Sequence, residues 1–339
     1  MVEGLMDSPE TILLSLLLED RARFLSGNAL AEALGVSRVS VWGYFEKLRA
    51  EGFLFEAVRN RGYRLAAEPD HVHGGLLNAY LKKLGCAVPV FCAAETDSTN
   101  TQARKRLLDG ASAPFFLTAA RQSAGRGRLG RAWFGEETGN LYLTFGLRPD
   151  VPPARLSGFT LWLGFALCRH LAGQCNAPLR IKWPNDLVCE GRKLAGILTE
   201  MHSEADTVQA VAFGIGLNVN GTFEKAPPAV QAVAGSLHTV TGRTFSINAV
   251  AAEVMACLAR ASEAFFAAEA WRAELFAGWP AFDALAGKSV TLRGADHRVR
   301  TATALGLAED GGLRVRLENG EPFVVQAGDV TLSGAPLPS

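Results

Sequence analysis

The sequence predicts a multidomain α+β protein in three parts: a winged helix-turn-helix over residues 1–67, an α+β domain with a mixed sheet over 68–284, and a small SH3-like β-barrel over 285–339. Three observations predict it. Before residue 67, leucine-rich helical segments behind turn residues are followed by a short β-hairpin. Strand and helix patterns then alternate to about Phe282. From Lys288 to Ser333 the apolar runs are short and separated by glycine turns.

In the first part, Pro9 can open a helix whose run from Leu13 to Leu18 is apolar on most sides, as expected of a helix buried among others. A helix around Asn28–Leu34, a turn at Gly35-Val36 and a helix behind Ser37 follow. Ser37 is a good N-cap, Gly35 can take the left-handed conformation, and Ala31 lets two helices cross closely. These offsets resemble a helix-turn-helix with Ser37–Arg49 as recognition helix, and an ordinary three-helix bundle is the alternative. Phe53–Val58 and Gly62–Leu65 read as a hairpin wing with Arg59, Arg61 and Arg64 near its tip. Residues 21–66 hold eight Lys/Arg against four Glu, a modest net +4 for a nucleic-acid module. Ser37, Arg38, Val39, Trp42, Arg59 and Arg61 are the DNA-contact candidates. Glu68–Gly75 reads as a linker.

In the second part, strands are expected at Val90–Ala94, Phe115–Ala120, Leu141–Leu147, Arg180–Trp183, Leu187–Cys189, Lys193–Met201 and Val208–Asn218. Helices are expected after the Asp97-Ser98-Thr99-Asn100 cap, from about Pro153 to Ala172, and over 246–277. Apolar helices over a mixed sheet leave polar, glycine-rich strand ends to form one cleft. In the third part, turns at Asp310-Gly311-Gly312 and Asn319-Gly320 join four short strands, and an Asn-Gly pair is a strong hairpin signal. A hairpin extension of the middle domain is the alternative to a separate barrel.

Lys+Arg and Asp+Glu both number 34, so no global field draws the chain to nucleic acid or membrane and any such partner meets a local patch. Six cysteines without a Cys-x-x-Cys pair suggest reduced thiols in a cytoplasmic protein, and no metal-ligand set is assigned. The apolar run Ile12–Leu18 is too short to span a bilayer, and Glu3 and Asp7 stand where a signal peptide would be basic. No membrane role is expected.

The chemistry concentrates in Gln122–Trp133. Three glycines and three arginines fill the nine residues from Gly125 to Trp133. Glycine lets backbone N–H groups approach a ligand, arginine suits carboxylate and phosphate oxygens, and the indole can stack on a nucleobase. A mobile basic surface loop is the plain alternative. The loop lacks the Gly-Lys-Ser/Thr of a Walker loop and the dinucleotide glycine spacing. Lys182-Trp183-Pro184-Asn185-Asp186 ends a strand with an amide and a carboxylate at its tip, and Lys193 opens the apolar run through Leu198. Taken singly, these are ordinary turn residues.

Gln122–Trp133, Lys182–Asp186 and Lys193–Leu198, in that order, resemble the three signature blocks of biotin protein ligases, and Asp97–Asn100 and Gly214–Asn218 match as well. The likeness extends over nearly all of the chain, to bifunctional ligases that also repress biotin synthesis genes. It implies a class II synthetase-like central domain. It implies a two-step reaction: biotin and MgATP give biotinyl-AMP and pyrophosphate, then a lysine of the biotin carboxyl carrier protein of acetyl-CoA carboxylase attacks the mixed anhydride. It also implies binding to a DNA operator as a homodimer formed on biotinyl-AMP.

By the same resemblance Lys193, Arg128 and Asp186 are the catalytic candidates. Ser98, Thr99, Asn100, Gln122, Gly125, Arg126, Gly127, Arg128, Lys193, Gly196 and Gly214 form the biotin-binding set. Arg126, Arg128, Arg131, Trp133, Lys182, Asn185, Lys193 and Asn218 form the adenylate-binding set, with Trp133 stacking on adenine. The loop glycines and arginines are expected to lack fixed partners until the phosphate arrives. Related repressors carry Lys-His where this chain has Gly43-Tyr44, which leaves the recognition helix weakly basic. Two rivals stand beside this: a lipoate or octanoate ligase, which shares the domain type without the Gly-Arg-Gly-Arg loop, and a winged-helix regulator whose other domains only sense a small molecule.

Overall fold

The computed structural model describes residues 2–3, 8–293, 299–326 and 328–332. Helix α1 (Pro9–Glu19) starts behind Ser8, whose hydroxyl accepts from the Thr11 amide. Ser26 caps α2 (Gly27–Leu34) and Ser37 caps α3 (Arg38–Ala50) in the same way, each satisfying a donor the helix start leaves open. Gly35 closes α2 at φ 64°. Leu13, Leu17, Leu30, Val41, Phe45 and Leu48 form the core between the three helices. The wing is the antiparallel pair β2 (Leu54–Val58) and β3 (Gly62–Ala67), with Tyr63 stacked on Phe45 at 4.3 Å. A two-residue strand, β1 (Val2–Glu3), pairs with the central sheet instead.

The segment expected as a linker is fastened on both sides. Glu68 accepts from Arg21 and Tyr80, and Ser246 also donates to it. Asn248 receives the His73 amide and donates to the His71 carbonyl. His73 then caps α4 (Gly74–Lys83), a helix absent from the sequence reading. Leu76 and Ala79 of α4 pack in the N-terminal core, while Leu77 and Leu81 pack in the central one. The helix-turn-helix is therefore joined to the rest by shared hydrophobic packing.

The central sheet comprises β4 (Val90–Thr96), β5 (Phe115–Gln122), β6 (Leu141–Leu147), β7 (Arg180–Lys182), β8 (Asp186–Cys189), β9 (Arg192–Glu204) and β10 (Thr207–Leu217). Its order is β1-β4-β5-β6-β10-β9-β8-β7, parallel at β4/β5 and antiparallel elsewhere, as a mixed sheet requires. Helix α5 (Thr99–Leu108) covers one face through Ala103 and Leu107. Helices α6 (Phe159–Cys175), α9 (Ile247–Ala267) and α10 (Ala270–Phe282) build the large core on the sheet's other side. Short α7 (Pro228–Gln231) and α8 (Leu237–Thr241) lie between β10 and α9. The buried helix expected from Pro153 begins only at Phe159. Pro153–Leu156 forms a 3-10 turn, and Gly158 reverses the chain at φ 83° against the Trp271 ring.

The C-terminal unit is an antiparallel five-stranded sheet in the order β14-β13-β12-β11-β15. Its strands are β11 (Ser289–Arg293), β12 (Val299–Leu307), β13 (Leu313–Leu317), β14 (Pro322–Val325) and β15 (Asp329–Leu332). Val290, Ala304, Val315 and Val330 join the central core, and Trp183 donates its indole N–H to the Gly311 carbonyl in the expected glycine turn. No helix among the described residues is long and apolar enough to cross a membrane.

Candidate active site

The glycine-arginine stretch folds as a small closed hairpin. Trp133 donates to the Gly125 carbonyl at 2.8 Å and Gly127 to the Arg131 carbonyl at 2.7 Å, around a turn in which Leu129 and Gly130 have positive φ. A side chain at Gly125 would overlap the Trp133 carbonyl, so Gly125 is required by the loop itself. The Trp133 indole rests on a bare floor made by Gly196 of β9 and Gly216 of β10, which face each other in register. Any Cβ at either position would penetrate the ring. The indole nitrogen is buried there with no hydrogen-bond partner. Burying a polar N–H unpaired is costly, which marks the spot as one where a ligand acceptor would fit.

Beside this floor lies a buried, uncharged polar cluster. Gln122 at the end of β5 accepts from the Thr99 amide at 2.7 Å and the Thr99 hydroxyl at 3.1 Å. Thr144 of β6 places its hydroxyl 2.7 Å from Asn100 Oδ1 and 2.9 Å from the Thr99 hydroxyl. Ser98 stands at the N-cap of α5 without making a capping bond. Its neighbour Asp97 makes the local bonds instead. Its partial burial raises the pKa, but donors from Gln102, Ser98 and Thr96 outweigh this and hold it below the usual carboxylate range. Gly214 has no room for a side chain because Asn100 Oδ1 occupies that space.

The charges form a third layer. Lys193 Nζ lies 2.8 Å from Asp186 and 5.4 Å from the Trp133 ring centroid. Arg128 donates to Asn185 Oδ1 at 2.8 Å and to the Gly328 carbonyl of the C-terminal unit at 3.3 Å. Asn185 is itself held by donation to the Ile197 carbonyl. Arg126 grips Glu200 at 2.9 and 3.3 Å. Arg126 and Arg128, expected to wait without partners, are thus fastened to a carboxylate, a side-chain amide and a backbone carbonyl around the site. The physical reason is that a carboxylate within reach of a guanidinium is a better partner than water in a half-buried cleft.

A cavity of about 140 Å³ remains. Ser98, Thr99, Asn100, Gln122, Arg126, Gly127, Arg128, Arg131, Trp133, Lys182, Asn185, Asp186, Lys193, Gly196 and Gly214 all line it, from six separate segments of the chain. Two of the expected residues do not. Gly125 shapes the loop from behind, and Asn218 is buried with its amide spent on the Lys193 and Gly235 carbonyls. Sequence reasoning missed Thr144 and Glu200, and it placed Gly216 in the Gly214–Asn218 block without giving it a role. Alternating glycines at 214 and 216 signalled a bare strand face, whereas nothing local marked Thr144 or Glu200.

On α3, Ser37, Arg38, Val39 and Trp42 are all exposed, with Val39 at 77% and Trp42 at 57%. Tyr44 instead packs against the N-terminal core, so only Gly43 of that pair is on the surface. Arg59 and Arg61 are exposed, Arg61 stacking on Phe24. Arg64, the third arginine of the wing, is paired with Glu56 across the hairpin.

Residues 92–218 match the biotin/lipoate A/B protein ligase family, 11–64 an HTH domain and 286–333 the biotin protein ligase C terminal domain. The chain is 33% identical over 245 residues to the bifunctional ligase/repressor BirA of Bacillus spizizenii, spanning 72% of this chain and 75% of that one. It is 34% identical over 234 residues to the BirA of Bacillus subtilis, spanning 69% and 72%. Among solved structures, the biotin protein ligase from Aquifex aeolicus in complex with biotin and ATP matches with a TM-score of 0.58 and 28% identity, over 72% of this chain and 97% of that one. The chain belongs to the biotin/lipoate A/B protein ligase family.

Proposed function

We propose that this protein condenses biotin with ATP to biotinyl-AMP and passes the biotinyl group to a lysine of the biotin carboxyl carrier protein of acetyl-CoA carboxylase. One observation carries this most directly: Lys193 and Arg128 line the same cavity as a buried cluster of neutral hydrogen-bonding side chains. The cluster suits the head of biotin, and the cations suit its carboxylate and the α-phosphate. Bringing those two anions together is the electrostatic problem of adenylation, and fixed cations aimed at the developing charge lower its barrier. Lys193 serves both oxygens, Arg128 neutralises the phosphate, and Asp186 holds Lys193 in place. Trp133 stacks on adenine, while Arg131, Lys182 and Asn185 line the nucleotide side. The magnesium ion enters on the phosphates of ATP, as part of the substrate.

Thr99, Gln122 and Ser98 favour biotin over lipoate. A ureido ring offers two N–H donors and a carbonyl acceptor to such a cluster, whereas a dithiolane has no N–H or carbonyl with which to exchange hydrogen bonds there. A cavity of about 140 Å³ is also well below the roughly 300–1,000 Å³ of sites that hold drug-sized ligands, so the loop must lift to admit substrates. Once closed, it would keep water from the hydrolysable acyl-adenylate.

We further infer that the biotinyl-AMP complex forms a homodimer whose winged helices bind the operator of biotin synthesis genes through Ser37, Arg38, Val39, Trp42, Arg59 and Arg61. The test of the enzyme is pyrophosphate release from ATP with biotin, with lipoate and with octanoate. Release with biotin alone, followed by labelling of the carrier lysine, is the expected result. Release with lipoate only would replace this function with its rival.

A further inference from the structure

Glu200 is the acid that the loop closes upon, and nothing in the chemistry above uses it. It lies on β9, with its side chain 17% exposed. Groups outside the loop also hold it: Asn100 donates to Oε2 at 3.1 Å and Arg104 of α5 to Oε1 at 3.2 Å. Asn100 is itself pinned by the Leu198 carbonyl and the Thr144 hydroxyl. The carboxylate is therefore a preorganised anchor. Arg126 reaches it across 74 positions of sequence and binds both oxygens, at 2.9 and 3.3 Å. A bidentate guanidinium–carboxylate pair is stronger and more directional than a single contact. It joins the Gly125–Trp133 hairpin to the strand floor of the site.

We propose, building on the acyl-adenylate chemistry above, that Glu200 is a positioning residue that latches the glycine-arginine loop shut through Arg126. It sets how long the activated acyl group stays enclosed. Arg104 adds a second cation on the same carboxylate, so the cluster carries a net +1. Arg126 spends two of its five N–H donors on this carboxylate. Glu200 touches no reacting atom in this scheme. Its effect falls on opening and closing of the loop and not on the adenylation step.

The test compares wild type, Glu200→Gln, Arg126→Gln and the double variant. Glutamine keeps the size and an acceptor for Asn100, so the fold is retained, and equal thermal melting confirms it. The first readout needs no substrate: the rate at which trypsin cuts after Arg128 and Arg131 in the ligand-free protein. Glu200→Gln should raise it about tenfold, and the double variant should be no faster than the faster single one, because both act on one contact. The second readout is the dissociation of preformed biotinyl-AMP, which Glu200→Gln should speed about tenfold while pyrophosphate release at saturating substrates stays within twofold. Cleavage and dissociation equal to wild type would overturn the latch. So would additive effects of the two substitutions. Failure of the wild-type protein to form biotinyl-AMP would refute the biotin chemistry, and the trypsin comparison would still decide the latch.

Discussion

At the scale of single residues, Lys193 is the group on which the proposed chemistry depends most. Its ammonium is held by Asp186 at 2.8 Å, so its position is set before any substrate binds. Lys193→Ala should cut pyrophosphate release about a hundred- to thousandfold, the usual cost of removing one preorganised charge-stabilising donor, with biotin binding largely retained. Rapid-quench measurement at saturating biotin and ATP checks this, and near-normal release would remove Lys193 from the mechanism. The floor under Trp133 makes a second prediction. Gly216→Ala would thrust a methyl into the indole and push the ring out of its slot. Nucleotide affinity should then fall at least tenfold while the sheet, whose backbone alanine tolerates, stays intact. Titration with a non-hydrolysable ATP analogue measures it. The cysteines lie outside this chemistry. Burial pushes Cys92 and Cys168 up to about 12 and Cys257 up to about 11, so their thiols stay protonated at neutral pH. Iodoacetamide at pH 8 should leave the buried Cys168 and Cys257 unmodified in the folded protein and modify both in urea.

At the scale of elements, the helices written most plainly in the sequence are those with their own stop and start signals. Ser37 behind Gly35 located α3 because a serine N-cap and a left-handed glycine are local devices. The signature blocks were legible for the same reason, since each is contiguous. Helix α4 was not legible because its apolar residues serve two cores, Leu76 and Ala79 one and Leu77 and Leu81 the other, and so make no single stripe. The contact of Arg126 with Glu200 was equally hidden, as only the folded sheet brings residues 74 apart together. Asn218 misled because a polar residue after a glycine strand reads as a ligand contact when its neighbours' carbonyls are unseen. Two glycines of the winged helix give opposite expectations. Gly43 is exposed in mid-helix with open space around it, so Gly43→Ala should stabilise the N-terminal unit by about 1 kcal/mol. Gly62 sits at φ 112° with the Leu25 carbonyl where a Cβ would be, so Gly62→Ala should destabilise the wing by about 1–3 kcal/mol. Denaturant melts of both variants decide the signs.

At the scale of the whole molecule, the consequence of α4 is that the DNA-binding unit is held at a fixed angle to the ligase. Glu68 is the centre of that joint, its side chain 6% exposed and shared by Arg21 in the turn after α1, Tyr80 from α4 and Ser246 before α9. Burial, reinforced by the Glu68 carboxylate, raises the Tyr80 pKa far above its ordinary value, so the phenol remains a hydrogen-bond donor throughout the physiological range. Under the proposed operator binding, rigid placement matters because a single winged helix with so few free cations would bind weakly. Its recognition face offers Arg38 beside an indole, a valine and a glycine, and Arg64 of the wing is neutralised by Glu56. With about three to five phosphate contacts per subunit, affinity falls steeply with salt, and useful binding needs two half-sites engaged at once. In the proposed homodimer, two units gain from that linkage only if their separation matches the half-site spacing, and the joint at Glu68 would hold each unit in place for it. Glu68→Ala leaves Arg21 and Tyr80 without their acceptor and loosens the angle while touching nothing in the cavity. We expect retardation of a biotin-operon operator fragment by the wild-type protein only with biotin plus ATP. With Glu68→Ala, the protein needed for half retardation should rise about tenfold, at unchanged pyrophosphate release. Equal retardation by variant and wild type would show that the winged helices find their spacing without the joint. No retardation by either, at low salt and micromolar protein, would assign the helix-turn-helix to another partner.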